Sequence, residues 1–249
     1  RSAFGDWACL GPNTSPGGYY GIGRINCIAF HPTLSSTFWV GAPTGGIWKT
    51  TDNGATWTCY GDDNEIMGVS DIIIPDDYYY TQTIYIATGD RDTWRGRSVG
   101  VLKSVDGGSS WQETGLSFNR WDNEYVNRLL KHPDYDNIIY AATSDGLYKT
   151  IDGGTTFTKL TSLHFIDMEF KPSDPNTIYG CTKHPSDVYY YQESKIYRSV
   201  DGGVTWTEEL SVDGAWRTEL AVSPDEPDWV YAVVCNSNGS LEGIYQSVD

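Results

Sequence analysis

Apolar and polar positions along this chain alternate in short bursts, with no sustained helical period. Runs rich in Val, Ile, Tyr and Trp are bounded by Gly, Pro, Asn and Asp, the pattern of β-strands separated by turns. Five such runs end in Pro: Ile25 to Pro32, Val69 to Pro75, Val126 to Pro133, Ile166 to Pro172 and Thr218 to Pro224. Each is followed by a second run, at Thr37 to Gly41, Thr83 to Ala87, Asn137 to Ala141, Thr177 to Gly180 and Trp229 to Ala232. A third run follows at Gly46 to Lys49, Gly100 to Lys103, Gly146 to Lys149, Lys195 to Arg198 and Gly243 to Gln246. No apolar stretch holds the period of about 3.6 residues for two turns, so no helix is predicted.

After each third run comes a recurring phrase. It reads TTDNGATW from Thr50 to Trp57, and returns at Ser104 to Trp111, Thr150 to Phe157 and Ser199 to Trp206, with a fifth copy opening at Ser247. Its aspartates, Asp52, Asp106, Asp152, Asp201 and Asp249, are 54, 46, 49 and 48 residues apart, the interval of a repeat array. Asp followed by Asn-Gly or Gly-Gly makes a tight turn, because these residues accept positive φ and the Asp carboxylate can hold backbone N–H groups. The fourth strand begins at the aromatic that ends the phrase. Four short strands per repeat predict an all-β chain, a β-propeller of four-stranded antiparallel blades with this turn between the third and fourth strands. The blades fall at about 23–62, 66–117, 122–162, 164–211 and 215–249.

The phrase resembles the Asp-box, or BNR repeat, of sialidases, sortilin-type receptors and xyloglucan-cleaving hydrolases. The resemblance implies a structural role for Asp52, Gly54 and Trp57, Asp106, Gly108 and Trp111, Asp152, Gly154 and Phe157, and Asp201, Gly203 and Trp206. It implies an architecture shared by unrelated activities and names no reaction.

Trp7-Ala8-Cys9-Leu10-Gly11 copies Trp57-Thr58-Cys59-Tyr60-Gly61 without a preceding turn phrase. Residues 1–11 are therefore expected to be an outer strand that closes the ring and covers a sheet edge. The chain stops inside the fifth phrase, so the sequence reads as part of a larger ring.

Composition narrows the partners. With 33 acidic and 17 basic residues, the net charge of −16 repels phosphate backbones, which excludes nucleic acid. No apolar run approaches the about 18 residues that span a bilayer, which excludes insertion into a membrane as a helix. Aromatics make up 14% of the chain, as suits an extracytoplasmic all-β protein, secreted or at the cell surface. The amino end carries no leader pattern, so residue 1 reads as following a removed one. The five cysteines, at 9, 27, 59, 181 and 235, lack metal-ligand spacing and read as buried thiols or as disulfides, with at least one unpaired.

Candidate chemistry gathers on the face of the loops between second and third strands and between blades. Two of those loops are long, Thr88 to Ser98 and Thr182 to Ser194. Arg24, Arg91, Trp94, Arg95, Trp121, Tyr190 and Trp216 are the candidate ligand-binding residues there. Flat aromatic faces stack on a sugar or peptide while the polar groups fix its orientation. The bland reading of the tyrosines is cover for a neighbouring loop. Asp62-Asp63-Asn64-Glu65 and Asp90-Arg91-Asp92 offer oxygen ligands for Ca²⁺, yet lack EF-hand spacing and read as solvated acidic loops, so neither metal nor cofactor is assigned.

Two enzyme families bear on the reading. Asn64 to Ser70 and Trp39 to Trp48 resemble segments of xyloglucan-cleaving hydrolases, in which an Asp two residues before the Gly-Gly is one of the two catalytic carboxylates. That position here is Pro43, which cannot serve as a base, so the resemblance implies a non-catalytic relative. Gly23-Arg24-Ile25-Asn26 resembles in part the sialidase Arg-Ile-Pro phrase, and Arg128 and Arg217 also start first strands. Their differing offsets from the strand-ending prolines argue against convergence on one ligand. The segments Trp7 to Pro12, Gly21 to Ile25 and Gly45 to Lys49 also resemble secreted propellers of gliding Bacteroidota, which implies cargo of the type IX secretion system. The expectation is a secreted, non-catalytic binding or adhesion module for a polysaccharide or a surface protein, with contact to secretion machinery. The alternative is a xyloglucanase-like or sialidase-like glycoside hydrolase whose second acid lies beyond Asp249.

Overall fold

The computed structural model describes residues 23–61, 64–92, 97–182 and 193–248. These form five antiparallel sheets in chain order. The first comprises β1 (Cys27–Phe30), β2 (Phe38–Ala42), β3 (Gly46–Thr50) and β4 (Thr58–Tyr60). The second is β5 (Val69–Ile73), β6 (Ile84–Thr88), β7 (Gly100–Ser104) and β8 (Gln112–Ser117), with a helical turn, α1 (Tyr78–Thr81), between its first two strands. The third holds β9 (Val126–Lys131), β10 (Ile139–Thr143), β11 (Gly146–Thr150) and β12 (Thr158–Thr161). The fourth holds β13 (Phe165–Lys171), β14 (Asp174–Thr182), β15 (Lys195–Ser199) and β16 (Thr207–Ser211). The last, β17 (Ala215–Val222), β18 (Val230–Asn236) and β19 (Leu241–Ser247), has three strands among the described residues. The closing strand expected at residues 1–11 lies outside them.

Each sheet runs in sequence order from a first strand to an outer one, and the first strands of successive sheets, β1, β5, β9, β13 and β17, pack in a row. That is the arrangement of propeller blades around an axis. The core lies between blades. Trp39 and Ile47 of the first blade pack with Val69, Ile72, Ile84 and Ile86 of the second, and Tyr85, Ala87 and Val101 of the second pack with Val126, Leu129 and Ile139 of the third. Phe165, Met168 and Ile178 of the fourth blade meet Tyr140 and Leu147 of the third, and Leu220, Val230 and Ala232 of the fifth meet Ile166 and Tyr179. Each large apolar side chain buried this way contributes about 1.5–3 kcal/mol, more than an exposed ion pair of about 0–1 kcal/mol. Interblade burial therefore dominates the cohesion. The flanks of the row remain apolar: Ile28 and Phe30 on β1, and Val233 and Ile244 on the fifth blade, are exposed.

The four complete Asp turns share one hydrogen-bond set. In the third blade the Thr150 hydroxyl donates to Asp152 Oδ1 at 2.8 Å and accepts the Gly154 N–H at 3.0 Å. Asp152 also accepts the Thr156 N–H at 2.9 Å and the Thr156 hydroxyl at 2.7 Å. Asp52, Asp106 and Asp201 repeat the pattern with Thr50 and Thr56, Ser104 and Ser110, and Ser199 and Thr205. Gly153 and Gly154 sit at φ +67° and +90°, which supplies the turn its backbone. The aromatic at the end of the phrase closes it in two blades, where Trp57 and Trp206 donate their indole N–H to the Gly54 and Gly203 carbonyls.

Candidate functional site

Antiparallel strands place the β2–β3, β6–β7 and β10–β11 loops on the end of the blades opposite the Asp turns, together with the segments between blades. One loop organises this face. It leaves β6 with Asp90, Arg91 and Asp92 and returns to β7 through Arg97.

At its first end Arg24, from the first blade, donates to both oxygens of Asp90 at 2.5 Å and lies 3.2 Å from Asp92. Asp92 also accepts a hydrogen bond from Arg217 of the fifth blade, and Arg217 bonds Glu219 at 2.6 Å. Arg91 lies 3.6 Å from Glu219. Burial raises the Asp92 carboxyl, but Arg217, Arg24 and Arg91 outweigh it and hold the group below the ordinary aspartate range. Arg24 and Arg217 thus meet at Asp92, a carboxylate of the same chain, whereas Arg128 pairs with Asp71, Asp167 and Glu169. Blade geometry brings together residues whose sequence offsets differ.

Arg128 is the centre of a second cluster. It reaches Glu169 at 3.0 Å, Asp167 at 3.3 Å and Asp71 at 3.6 Å. Burial works against its charge, yet these three carboxylates raise the guanidinium well above its ordinary range. Asp71 and Asp167 stitch the first strands together: Asp71 accepts the Leu129 N–H of the third blade, and Asp167 the Leu220 N–H of the fifth, each at 2.9 Å. Burial raises Asp71 against the pull of Arg128. Glu169 is pushed up to about 7 by burial, which Arg128 offsets only in part. Asp71, Asp167, Glu169 and Glu219 escaped sequence reasoning. Their signal is a carboxylate within a strand-forming run, visible in VSDIIIP, IDMEFKP and TELAVSP.

At the other end of the loop the Arg97 guanidinium lies 4.2 Å from the centre of the Trp121 ring, and Arg120 lies 5.1 Å from it. Arg120 is anchored to Glu65 at 2.7 Å. Trp121 remains 59% exposed, a flat apolar face on a polar rim. Trp216 is half-buried on β17, next to Arg217. Trp94, Arg95 and Tyr190 lie outside the described residues. So do Asp62 and Asp63, and among the described residues no group of His, Cys, Asp or Glu is placed to hold a metal ion. Pro43 occupies the β2–β3 turn on this same face. Cys27, Cys181 and Cys235 are free thiols, and burial raises Cys27 and Cys181 strongly, which keeps both inert.

Solved structures of similar shape include GH74 enzymes and YCF48. The chain aligns over 89% of its length with the GH74 enzyme of Niastella koreensis, with a TM-score of 0.67 and 22% identity, and spans 36% of that structure. An ancestral GH74 enzyme gives the same TM-score at 18% identity, with 32% of its chain spanned. YCF48 from Cyanidioschyzon merolae aligns with a TM-score of 0.54 at 15% identity, with 71% of its chain spanned. The fold is that of a β-propeller. Among curated sequences this propeller is 30% identical over 156 residues to a xyloglucanase of Hypocrea jecorina, and 32% identical over 104 residues to one from Paenibacillus. The matches cover 57% and 39% of the chain and 18% and 10% of those enzymes, so the chain spans a small part of the relatives it matches. No protein-family profile matches it. Its sequence similarity is to xyloglucanases, and its fold is shared with GH74 enzymes.

Proposed function

We propose that the loop face of this propeller binds a polysaccharide of the xyloglucan class and does not itself cleave it. The observation that carries the reading is Trp121, an exposed indole braced by Arg97 and Arg120. The C–H face of a sugar ring stacks on such a surface, while neighbouring guanidiniums hydrogen-bond its hydroxyls. Similarity to xyloglucanases supports the choice of ligand. A glycosidase of the ordinary kind needs two available carboxyl groups flanking the scissile bond. Asp90 and Asp92 on this face are engaged by Arg24 and Arg217, and Pro43 stands where the resemblance implies an acid.

A second reading, glycoside hydrolysis, is favoured by Glu169, which burial pushes up to about 7, into the range of a general acid, even with Arg128 3.0 Å away. One experiment separates the two. The protein is run through gels containing xyloglucan and assayed in parallel for release of reducing ends. Retardation without release, lost in Trp121→Ala, supports binding. Release abolished by Glu169→Gln would defeat the binding-only reading.

The proposal extends to a secreted or surface location and to export by the type IX route, which rest on the sequence resemblance. Fractionation of cells with that route disabled tests this: protein still reaching the surface would contradict it. A surface-protein partner is distinguished by competition, since free xyloglucan oligosaccharide displaces only a glycan-mediated contact.

A further inference from the structure

The first and third blades build the same corner at the Asp-turn end, from a histidine after the first strand, a lysine on the third strand and a ring from the next blade. In the third blade His132 Nδ1 accepts the Asp134 N–H at 3.1 Å, and Lys149 Nζ lies 4.8 Å from the centre of the Tyr140 ring. Phe170 of the fourth blade packs edge-on against His132 and Tyr140, 5.7 Å from each. The Tyr140 hydroxyl is used, since it donates to the Gly202 carbonyl at 3.0 Å. In the first blade His31 Nδ1 accepts the N–H groups of Thr33 and Leu34, each at 3.1 Å, and Lys49 Nζ lies 4.9 Å from the centre of the Trp39 ring. Tyr78 of α1 packs edge-on against His31 and Trp39, 5.1 Å from each. Tyr78 thus stands in the place of Phe170 and adds a hydroxyl there.

That exchange leaves three donors without acceptors. Two backbone N–H groups occupy His31 Nδ1, so the proton of the neutral ring sits on Nε2, and burial together with Lys49 keeps the ring neutral by lowering its pKa. Burial also lowers the Lys49 amine, with no carboxylate opposing it, and raises the Tyr78 phenol. Among the described residues no acceptor meets His31 Nε2, Lys49 Nζ or the Tyr78 hydroxyl, whereas Lys103, the counterpart of Lys49 in the second blade, donates to the Gly153 carbonyl at 2.9 Å. All three donors line one cavity of 370 Å³, beside Tyr60 and Tyr79. His31 and Tyr78 are only 8% and 6% exposed, and donors buried so deeply are costly without a partner. The acid in the wall, Asp106, is committed to Ser104 at 2.7 Å and to Ser110 at 2.6 and 2.9 Å.

We infer that this corner binds a carboxylate group, with Lys49 Nζ, His31 Nε2 and the Tyr78 hydroxyl as its donors and with Tyr60 and Tyr79 beside the carbon skeleton that carries it. One ammonium and two neutral donors match a singly charged planar anion, whose two oxygens accept up to about four hydrogen bonds. A doubly charged phosphate would leave one negative charge uncompensated in a chain whose net charge is already −16. The rings supply an apolar surface for the skeleton. Two sources offer such a group, a free small acid and the uronate of a glycan. The cavity includes Asp106 and Gly107, so it lies at the Asp-turn end, away from Trp121, and does not depend on the xyloglucan reading.

The test follows the His31 imidazole resonances of the 249-residue chain by NMR, at constant pH and ionic strength, as acetate, glucuronate or inorganic phosphate is added. Saturable shifts with a carboxylate are expected, with affinity falling about five-fold in Tyr78→Phe and about ten-fold or more in Lys49→Met. Trp121→Ala is expected to bind as the parent does, which separates this site from the proposed xyloglucan face. Glucuronate binding tighter than acetate assigns the site to a uronate-bearing glycan, and glucuronate binding no tighter assigns it to a free acid. Tyr78→Phe introduces the ring that Phe170 already supplies in the fourth blade, so it carries the test if Lys49→Met folds poorly. No saturable shift, phosphate binding as tightly as the carboxylates, or an unaltered affinity in Tyr78→Phe would overturn the inference.

Discussion

Arg217 on the fifth blade donates to Asp92, 125 positions earlier on the second, and the same carboxylate lies 3.2 Å from Arg24 of the first. One aspartate is thus held between guanidiniums from two other blades. Because Asp92 sits in the loop that also carries Arg97 to Trp121, this contact fixes one end of the segment that shapes the proposed binding face.

Asp92→Asn removes the charge that lets Arg24 and Arg217 approach each other. The expected loss is about 1–2 kcal/mol, reduced from the value for a fully buried pair because the groups are partly exposed. Urea unfolding measures it, and the loss shrinks in high salt as repulsion between the arginines is screened. The folded-state pKa of Asp92 is lowered, so its contribution is complete above the ordinary value of 3.8 and is lost as pH falls through the folded value. A variant as stable as the parent at low salt would show that the network does not hold the loop.

The Asp turns respond to acid in the same direction. Hydrogen bonds from Ser110, Thr156 and Thr205 lower Asp106, Asp152 and Asp201 to about 2, from 3.8. Their stabilisation is present above pH 3.8 and disappears as pH falls toward about 2. Asp152→Ala is expected to flatten part of the acid limb of a melting-temperature profile and to speed amide exchange at Thr156, whose N–H it leaves without its carboxylate. Unchanged exchange at Thr156 would contradict the assignment.

Glu169 has the opposite sign. Its pKa is raised from 4.5 to about 7, so the folded state holds the proton more tightly than the unfolded chain does. The favourable contribution is present below 4.5 and is lost as pH rises through about 7. Glu169→Gln, neutral at every pH, is expected to remove a decline in stability between those limits. Denaturation midpoints at several pH values check this, and an unaltered slope would contradict it.

Backbone demands give a paired prediction. Gly154 holds φ +90°, and a Cβ there would come within 3.3 Å of Thr114 and 3.4 Å of Tyr85. Gly154→Ala is expected to cost about 1–2 kcal/mol. Gly23, where a Cβ meets nothing within 4 Å, is expected to accept Ala without loss. Chemical denaturation of the two variants measures the contrast.

How far the sequence could be read follows from the range of each interaction. β5 and β9 begin at Val69 and Val126, where the apolar runs begin, and strand type and turn chemistry are local properties that a run of residues displays. The helical turn Tyr78–Thr81 escaped because four residues cannot display a helical period. The meeting of Arg24 with Asp90, and of Arg217 with Asp92, spans 66 and 125 positions. Offsets counted along a strand do not report position around an axis, so that convergence was not legible. Asp71 and Asp167 stand in plain view inside apolar runs, but their purpose depends on N–H groups of Leu129 and Leu220 in neighbouring blades. Trp121 was legible as an exposed loop aromatic, whereas its bracing by Arg97 needed the path of the β6–β7 loop.

The most direct test of the account is calorimetric titration of a xyloglucan oligosaccharide into the parent protein and into Trp121→Ala. The account predicts saturable binding to the parent and a loss of about ten-fold or more in the variant, the size expected when a buried stacking face of about 1.5 kcal/mol is removed. Equal affinity for both proteins, or no binding to the parent, would contradict it.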